Sequence, residues 1–153
     1  MKKVVIFLLI VIAIFGALAI VNHISTSQKV EGNPYGKTNL NPATIDQLDN
    51  PTYQNIILPD DLEIAINNGE SMTVYFFQPT CPACVATSPI IVPMAEELGI
   101  DLKLYNLLEF EDGWIDYDIA ATPTVVHFEN GEEVSRIGYV EEDLYQEWFE
   151  QIN

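Results

Sequence analysis

Two cysteines three positions apart are the residues of this sequence best suited to carry chemistry. Cys81 and Cys84 enclose Pro82 and Ala83, and the chain contains no other cysteine. A disulfide between them would close a very small loop and would constrain the unfolded chain little, so a purely structural role explains the pair poorly. Two thiols at this spacing can instead alternate between dithiol and disulfide while they exchange electrons with another thiol.

The segments around the pair predict where the two thiols lie. The apolar run at residues 72–77 indicates a buried strand, and residues 82–98 indicate a helix with proline at its first position. Cys81 would then lie at the strand-to-helix junction, where unpaired N–H groups and the helix dipole stabilise an anion. We therefore expect Cys81 to be the nucleophile and Cys84, one turn further on, to resolve the mixed disulfide.

Other uses of the same cysteines stay open. A zinc site needs about four ligands, and only His23 and His127 could add histidine nitrogens to the two sulfurs. We therefore expect no resident metal and no cofactor, although two thiolates could carry a soft ion such as Cu(I), as a copper chaperone does. A redox-inactive module that only binds a client protein is a further alternative.

Strands and helices alternate over most of the chain. Strands are predicted at residues 55–58, 72–77, 101–107, 124–128 and 133–137, and helices at residues 59–68, 82–98, 113–118 and from residue 141. Asn130-Gly131 between the last two strands is a strong hairpin signal. This order predicts an α/β fold with a mixed central sheet of four to five strands, flanked by helices on both faces.

The N-terminus predicts a membrane segment. Lys2 and Lys3 precede an uncharged apolar run of 18 residues at positions 4–21, which is long enough for a marginal transmembrane helix. We expect residues 1–21 to be an uncleaved anchor in the cytoplasmic membrane, with the C-terminal domain outside. The alternative is a signal peptide that is cleaved after Ala19, which would leave a secreted protein.

The composition of residues 22–153 indicates two segments and excludes nucleic acid as a partner. Residues 22–51 are polar and contain several glycines and prolines, which favours a flexible stalk, and residues 52–153 hold the α/β domain. All 23 acidic residues follow position 21, where only four basic residues accompany them. So acidic a surface excludes nucleic acid as a natural partner and is typical of a solvated domain.

Several segments together resemble the thioredoxin family. They are Tyr75-Phe-Phe-Gln-Pro-Thr-Cys-Pro-Ala-Cys84, then Pro89, then Ala121-Thr-Pro-Thr-Val-Val-His-Phe-Glu-Asn-Gly131. The resemblance extends over about residues 56–152 and implies a thioredoxin-like fold. It also implies that the Thr122–Pro123 peptide bond is cis and lies against the sulfurs. Thr80, Pro82, Thr122 and Pro123 would then form the substrate-binding surface around the catalytic Cys81 and Cys84.

The sequence departs from the family at two of these positions. Many thioredoxins carry a buried aspartate where this chain has Tyr75, and a tryptophan where it has Thr80. Only 38 residues lie between Cys84 and Pro123, too few for the inserted helical domain of the related oxidases, so the compact plan is expected.

The resemblance implies an enzyme, a thiol-disulfide oxidoreductase that acts on protein thiols and disulfides, and the predicted anchor would place it outside the cytoplasm. The Pro-Ala dipeptide lacks the histidine that strong oxidants of this fold often carry between their cysteines. We therefore expect a reductase or isomerase rather than an oxidase. Because the domain holds no cofactor of its own, it would need a membrane protein as electron donor or acceptor.

Overall fold

The computed structural model describes residues 2–153, without the side chains of residues 2–5, 19, 20 and 22–29. The chain divides into two compact units, one that ends at Leu40 and one that spans Asn41–Asn153. The first unit contains helix α1, Lys2–Val30. The apolar side chains described between Ile6 and Leu18 are mostly more than half exposed.

The predicted membrane anchor, residues 1–21, stays a prediction. Within the described part of the chain, no helix combines the length and the hydropathy of a membrane-crossing segment. Met1 and several side chains of the predicted anchor lie outside the described residues.

The stretch predicted as a stalk, residues 22–51, belongs to both units. Helix α1 continues through residues 22–30, and the second unit already begins at Asn41. A short helix α2, Pro42–Ile45, follows, and Thr44 in it is fully buried and accepts a hydrogen bond from Asn106 at 3.3 Å. These contacts attach residues 41–51 to the folded unit, so a flexible linker cannot include them. The role of residues 22–40 as a spacer stays a prediction.

A mixed four-stranded sheet forms the centre of the second unit. The strands are β1 Met72–Phe77, β2 Leu102–Asn106, β3 Thr124–Glu129 and β4 Glu132–Ile137, in the order β2-β1-β3-β4. Strands β1 and β2 are parallel, whereas β3 pairs antiparallel with both β1 and β4. The mixed sheet with a closing hairpin agrees with the sequence-based prediction.

The fifth strand predicted at residues 55–58 does not form. Only an isolated parallel bridge joins Ile56 to Leu104, supported by backbone hydrogen bonds on either side of it. Helix α3, Pro59–Asn67, begins directly afterwards with proline in its first turn. Since proline fixes its own φ and the chain turns into the helix there, the extended segment is too short for a strand.

Helices cover both faces of the sheet. On one face α4, Pro82–Glu97, and α6, Glu142–Ile152, pack on Tyr75 and Phe77 of β1. On the other face α3 and α5, Gly113–Asp116, pack on Val74 and Phe76. Alternation along β1 thus sends neighbouring side chains into two separate apolar clusters. This buried strand leads directly into the loop that carries the cysteines.

Candidate functional site

Cys81 is the N-cap residue of α4. Its backbone is extended, with φ −82° and ψ 116°, and the backbone N–H of Cys84 donates a hydrogen bond to its sulfur at 3.3 Å. Pro82 occupies the first turn, where a missing N–H leaves no hydrogen bond unmade. The sulfur therefore takes the place that a Ser or Asp oxygen usually takes at a helix start.

The surroundings of Cys81 favour its thiolate. Burial alone would raise its pKa, but hydrogen bonds with the side chains of Thr122 and Cys84 and with the backbone N–H groups of Cys84 and Ala83 outweigh that effect. The pKa of Cys81 consequently lies below its ordinary value. Its side chain is only partly buried, so a substrate sulfur can reach it. These are the properties of a nucleophilic cysteine.

Cys84 has the opposite environment. Its side chain is 1% exposed and packs in the apolar cluster between α4, α6 and β1. Burial raises the pKa of its thiol to about 11, and Cys81 adds to the rise, while hydrogen bonds with Gln78 and Thr122 only partly oppose it. Cys84 thus stays protonated at neutral pH. Both cysteines are free thiols in the structure, so the site is in its dithiol form.

The loop before β3 contacts Cys81 across from the start of α4. The Thr122–Pro123 peptide bond is cis, as the family resemblance implies. The thiol of Cys81 donates to the carbonyl oxygen of Thr122 at 3.4 Å, and the Thr124 hydroxyl donates to the carbonyl oxygen of Ala121 at 2.8 Å. Two distant parts of the chain, 41 residues apart, therefore meet at the Cys81 sulfur.

The structure also places the other two predicted binding residues at this site. Thr80 and Pro82 are exposed on either side of Cys81 in the sequence, whereas Pro123 is buried and Thr122 is partly exposed. Thr80, Pro82 and Thr122 thus border the reactive sulfur on a surface open to solvent. Their part in binding a substrate stays a prediction.

Sequence reasoning missed one group beside the cysteines. The hydroxyl of Tyr75 on β1 lies 2.9 Å from the hydroxyl of Ser88 on α4, and Ser88 donates to the carbonyl oxygen of Cys84 at 2.7 Å. Tyr75 and Ser88 are both fully buried. The available signal was the spacing, since Ser88 follows Cys84 by four residues and must lie on the same face of a helix.

His127 lies away from the cysteines. It is buried on β3, and its Nδ1 lies 2.9 Å from the hydroxyl of Thr73 on β1. His127 therefore packs on its strand. Among the described residues, no group of three or more His, Cys, Asp or Glu side chains is arranged to hold a metal ion.

Fold and site together describe a protein that carries a reactive dithiol at the start of a helix on a mixed α/β sheet. The family model for thioredoxin matches residues 55–150. The chain therefore belongs to the thioredoxin family, whose members are generally thiol-disulfide oxidoreductases.

Known relatives agree with this assignment. Thioredoxin of the red alga Porphyra purpurea is 31% identical over 74 residues, which are 47% of this chain and 69% of the algal protein. The structure of Fasciola hepatica thioredoxin is similar, with a TM-score of 0.55 at 27% sequence identity. The match covers 61% of this chain and 93% of the Fasciola chain. Malassezia sympodialis thioredoxin has a TM-score of 0.56 at 18% identity, with 63% and 88% covered, and supports the fold alone.

Proposed function

We propose that this protein is an extracytoplasmic thiol-disulfide oxidoreductase that exchanges disulfides with protein substrates through Cys81 and Cys84. The observation that carries the proposal is the contrast between two sulfurs one helical turn apart. One is partly exposed and its pKa is lowered, and the other is buried and its pKa is raised to about 11. Such a pair suits an attack by the first thiolate followed by resolution by the second.

The exchange proceeds in two displacements that conserve atoms and electrons. The Cys81 thiolate attacks one sulfur of a substrate disulfide, the substrate S–S bond breaks, and the departing sulfur takes up a proton. Cys84 then loses its proton and attacks the Cys81 sulfur, which releases the second substrate sulfur as a thiol. Two electrons and two protons have passed to the substrate, and Cys81 and Cys84 are joined by a disulfide. A dithiol donor must reduce that disulfide before the next cycle.

A substrate chain would dock across the surface formed by Thr80, Pro82, Thr122 and Pro123. The contact of 3.4 Å between the Cys81 sulfur and the Thr122 carbonyl oxygen supports this position, because a peptide that pairs with the backbone at Thr122 brings its own sulfur next to Cys81. Backbone pairing of an extended peptide is a recurrent way to bind without strict sequence preference.

We propose that the reaction runs mainly as a reduction or isomerisation. Between the cysteines stand only Pro82 and Ala83, so no cation there stabilises the Cys81 thiolate and with it the reduced form. The test is the reduction potential of the full chain in detergent, equilibrated against dithiothreitol and against glutathione. A potential close to that of thioredoxin supports the reductase, and one in the range of strong periplasmic oxidants overturns it.

The location outside the cytoplasm is part of the same proposal. Lys2 and Lys3 are the first residues of helix α1, and the apolar side chains described between Ile6 and Leu18 are largely exposed. An exposed apolar helix that begins with two positive charges suits a single-pass anchor whose C-terminal domain lies outside. Cleavage after Ala19, with secretion, is the alternative. A membrane protein would then serve as the electron donor or acceptor that recharges the dithiol.

A trapping experiment tests the enzymatic function. The Cys84→Ser variant of the full chain should accumulate mixed disulfides between Cys81 and client proteins, because the resolving thiol is absent. The matched control is the Cys81→Ser variant, which keeps Cys84 but lacks the nucleophile. A Cys84→Ser variant that forms no more adducts than this control would contradict the proposed exchange.

A further inference from the structure

Arg136 on β4 is the only arginine of this acidic chain, and its guanidinium is bonded to main-chain carbonyl oxygens. Nη1 donates to the carbonyl oxygen of Asp118 at 2.8 Å, and Nη2 donates to that of Tyr117 at 3.3 Å. Tyr117 is the C-cap residue of α5, and a cation suits the unpaired carbonyl groups at a helix end. Arg136 thereby joins β4 to the loop at residues 117–123, which leads into β3 and carries Thr122.

Glu133 fixes the orientation of that guanidinium. Nε and Nη2 of Arg136 donate to the two carboxylate oxygens of Glu133, a planar pairing that restricts the side chain. Residues three apart in a regular strand point to opposite faces, but the pairing of β3 with β4 shifts register between His127 and Phe128. Glu133 and Arg136 consequently pair with Phe128 and Val126, which both pack in the apolar cluster under α3 and α5. The irregular pairing therefore places carboxylate and guanidinium on the face where α5 lies.

The loop at residues 117–123 begins with a backbone conformation that needs support. Asp118 has φ +48°, in the left-handed region that few residues other than glycine adopt. The φ angle of Asp118 sets the direction of the chain that follows, so its relaxation would move the backbone that leads to Thr122. Because Arg136 bonds to the carbonyl oxygens of Tyr117 and Asp118, it holds the peptide groups on both sides of this residue.

The contact between Thr122 and Cys81 changes during the proposed reaction. In the dithiol form the Cys81 thiol donates to the Thr122 carbonyl oxygen at 3.4 Å. In the mixed disulfide the Cys81 sulfur carries no proton, so this bond is absent while a substrate chain occupies the site. The loop must then be held by its other contacts. These are the bonds from Arg136 and the buried Ile119, whose N–H donates to the carbonyl oxygen of Trp114 at 3.0 Å.

We propose that Arg136 is a positioning residue for disulfide exchange, which holds the loop at residues 117–123 so that the Thr122 main chain stays in place to pair with a substrate peptide. The inference rests on the proposed function, in which an extended peptide pairs with the backbone at Thr122. A disulfide without a peptide chain needs no such pairing. Arg136 is therefore required for fast exchange with peptide disulfides and not with small ones.

The experiment compares the full chain in detergent with three variants. Arg136→Met keeps an unbranched side chain and removes its donors, whereas Arg136→Lys keeps the charge but donates from a single atom. Lys103→Met is the matched control. Lys103 also lies on an edge strand, β2, and also pairs with a carboxylate, that of Asp101 at 2.9 Å.

Amide hydrogen exchange reports on the loop without any substrate. The N–H groups of Asp118 and Ile119 donate to carbonyl oxygens of α5, so their exchange is slow while the loop is held. In Arg136→Met these two amides should exchange about tenfold faster, and the amides of β1 should exchange as in the parent. Arg136→Lys should lie between the two, and Lys103→Met should match the parent.

Two disulfides then test the positioning of a substrate. One is 2-hydroxyethyl disulfide, and the other is a short uncharged peptide whose central cysteine forms a disulfide with 2-mercaptoethanol. Arg136→Met should reduce the peptide disulfide about tenfold more slowly than the parent does, and it should reduce the small disulfide at the parental rate. Acid quenching followed by chromatography of the released 2-mercaptoethanol measures both rates.

The outcomes separate the inference from the proposed function. Unchanged exchange of the loop amides in Arg136→Met overturns the inference, and so does a loss of rate that is absent or equal for both disulfides. If Arg136→Met does not fold, Arg136→Lys decides the matter, because parental behaviour in both measurements contradicts the proposal. A parent protein that reduces neither disulfide counts against the proposed function, and hydrogen exchange alone then decides whether Arg136 holds the loop.

Discussion

The backbone N–H of Cys84 points at the sulfur of Cys81 over 3.3 Å, while the Cys84 side chain itself is buried. One residue therefore stabilises the Cys81 thiolate with its main chain and keeps its own thiol away from solvent. This arrangement arises because three residues along the first turn of a helix return the chain to the N-cap position. The different reactivities of the two thiols thus depend on a single helical turn.

Alkylation should distinguish the two thiols. The pKa of Cys81 is lowered and that of Cys84 is raised to about 11, so at neutral pH Cys81 should react with iodoacetamide about tenfold faster or more. The rate of alkylation at Cys81 should rise with pH, and half of its maximum should be reached at a pH below the pKa of a free cysteine. Mass spectrometry of peptides after timed quenching measures both rates. Equal rates would show that the helix start does not activate Cys81.

The Thr122 side chain should contribute to the acidity of Cys81. A hydrogen bond from this residue lowers the pKa of Cys81, so Thr122→Val, which preserves shape and removes the hydroxyl, should raise it by roughly one unit. The thiolate absorbance of the full chain with Cys84→Ser reports the change. Thr80→Val makes the same replacement at the exposed neighbouring position and should leave the titration of Cys81 where it was. A raised pKa in both variants would point to a nonspecific effect.

Stability should depend on Cys84 at alkaline pH. The pKa of Cys84 is about 11 in the folded protein and lower in the unfolded chain, so the unfolded chain releases this proton first as the pH rises. The contribution of Cys84 to stability is therefore fully present below the pKa of the unfolded chain and is lost as the pH rises toward about 11. The loss should approach about 2 to 3 kcal/mol of unfolding free energy.

Urea unfolding at a series of pH values measures this effect, with Cys84→Ser as the comparison. The difference in unfolding free energy between the parent and Cys84→Ser should change over that alkaline range and stay constant near neutral pH. Parallel pH profiles of the two proteins would refute the assignment of a high pKa to Cys84.

Gly131 should tolerate no side chain. It has φ +79°, and a Cβ there would overlap the carbonyl oxygen of Ile66 in α3 and lie 3.2 Å from the Cα of Gly69. Gly131→Ala should destabilise the fold by more than about 2 kcal/mol, because backbone strain and a clash with main chain combine.

Gly99→Ala separates these two causes. Gly99 has φ +76° but open space around its Cβ direction, so only the strain applies and about 1 kcal/mol should be lost. Urea denaturation of both variants measures the difference. Losses of equal size would mean that contact with α3 contributes nothing.

Much of the fold is encoded in local patterns of the sequence. Strand β1 matches the apolar run at residues 72–77, and helix α4 begins at Pro82, as the sequence predicts. Asn130-Gly131 adopts positive φ at both residues, as a tight hairpin turn between β3 and β4 demands. In each case the chemistry of neighbouring residues determines the backbone, so no distant contact is needed for the prediction.

The two errors have different causes. Residues 55–58 have strand-like composition, but the abrupt start of α3 at Pro59 leaves only a bridge to Leu104. Residues 41–51 have the composition of a linker, yet Thr44 is fully buried beside Asn106. In this second case burial against a segment far along the chain overrides local composition, and no local pattern reports it.

The same division applies to the site. The sequence by itself determined the two thiols and the helix start that favours an anion at Cys81, because these depend on residues within one turn of each other. No local pattern placed Thr122 at the Cys81 sulfur, which only the family resemblance implied and the tertiary structure shows, and the tertiary structure alone brought the Tyr75 hydroxyl to Ser88. Those contacts join separate strands and helices across the packed sheet, and the distances between such groups are set by how the whole core packs.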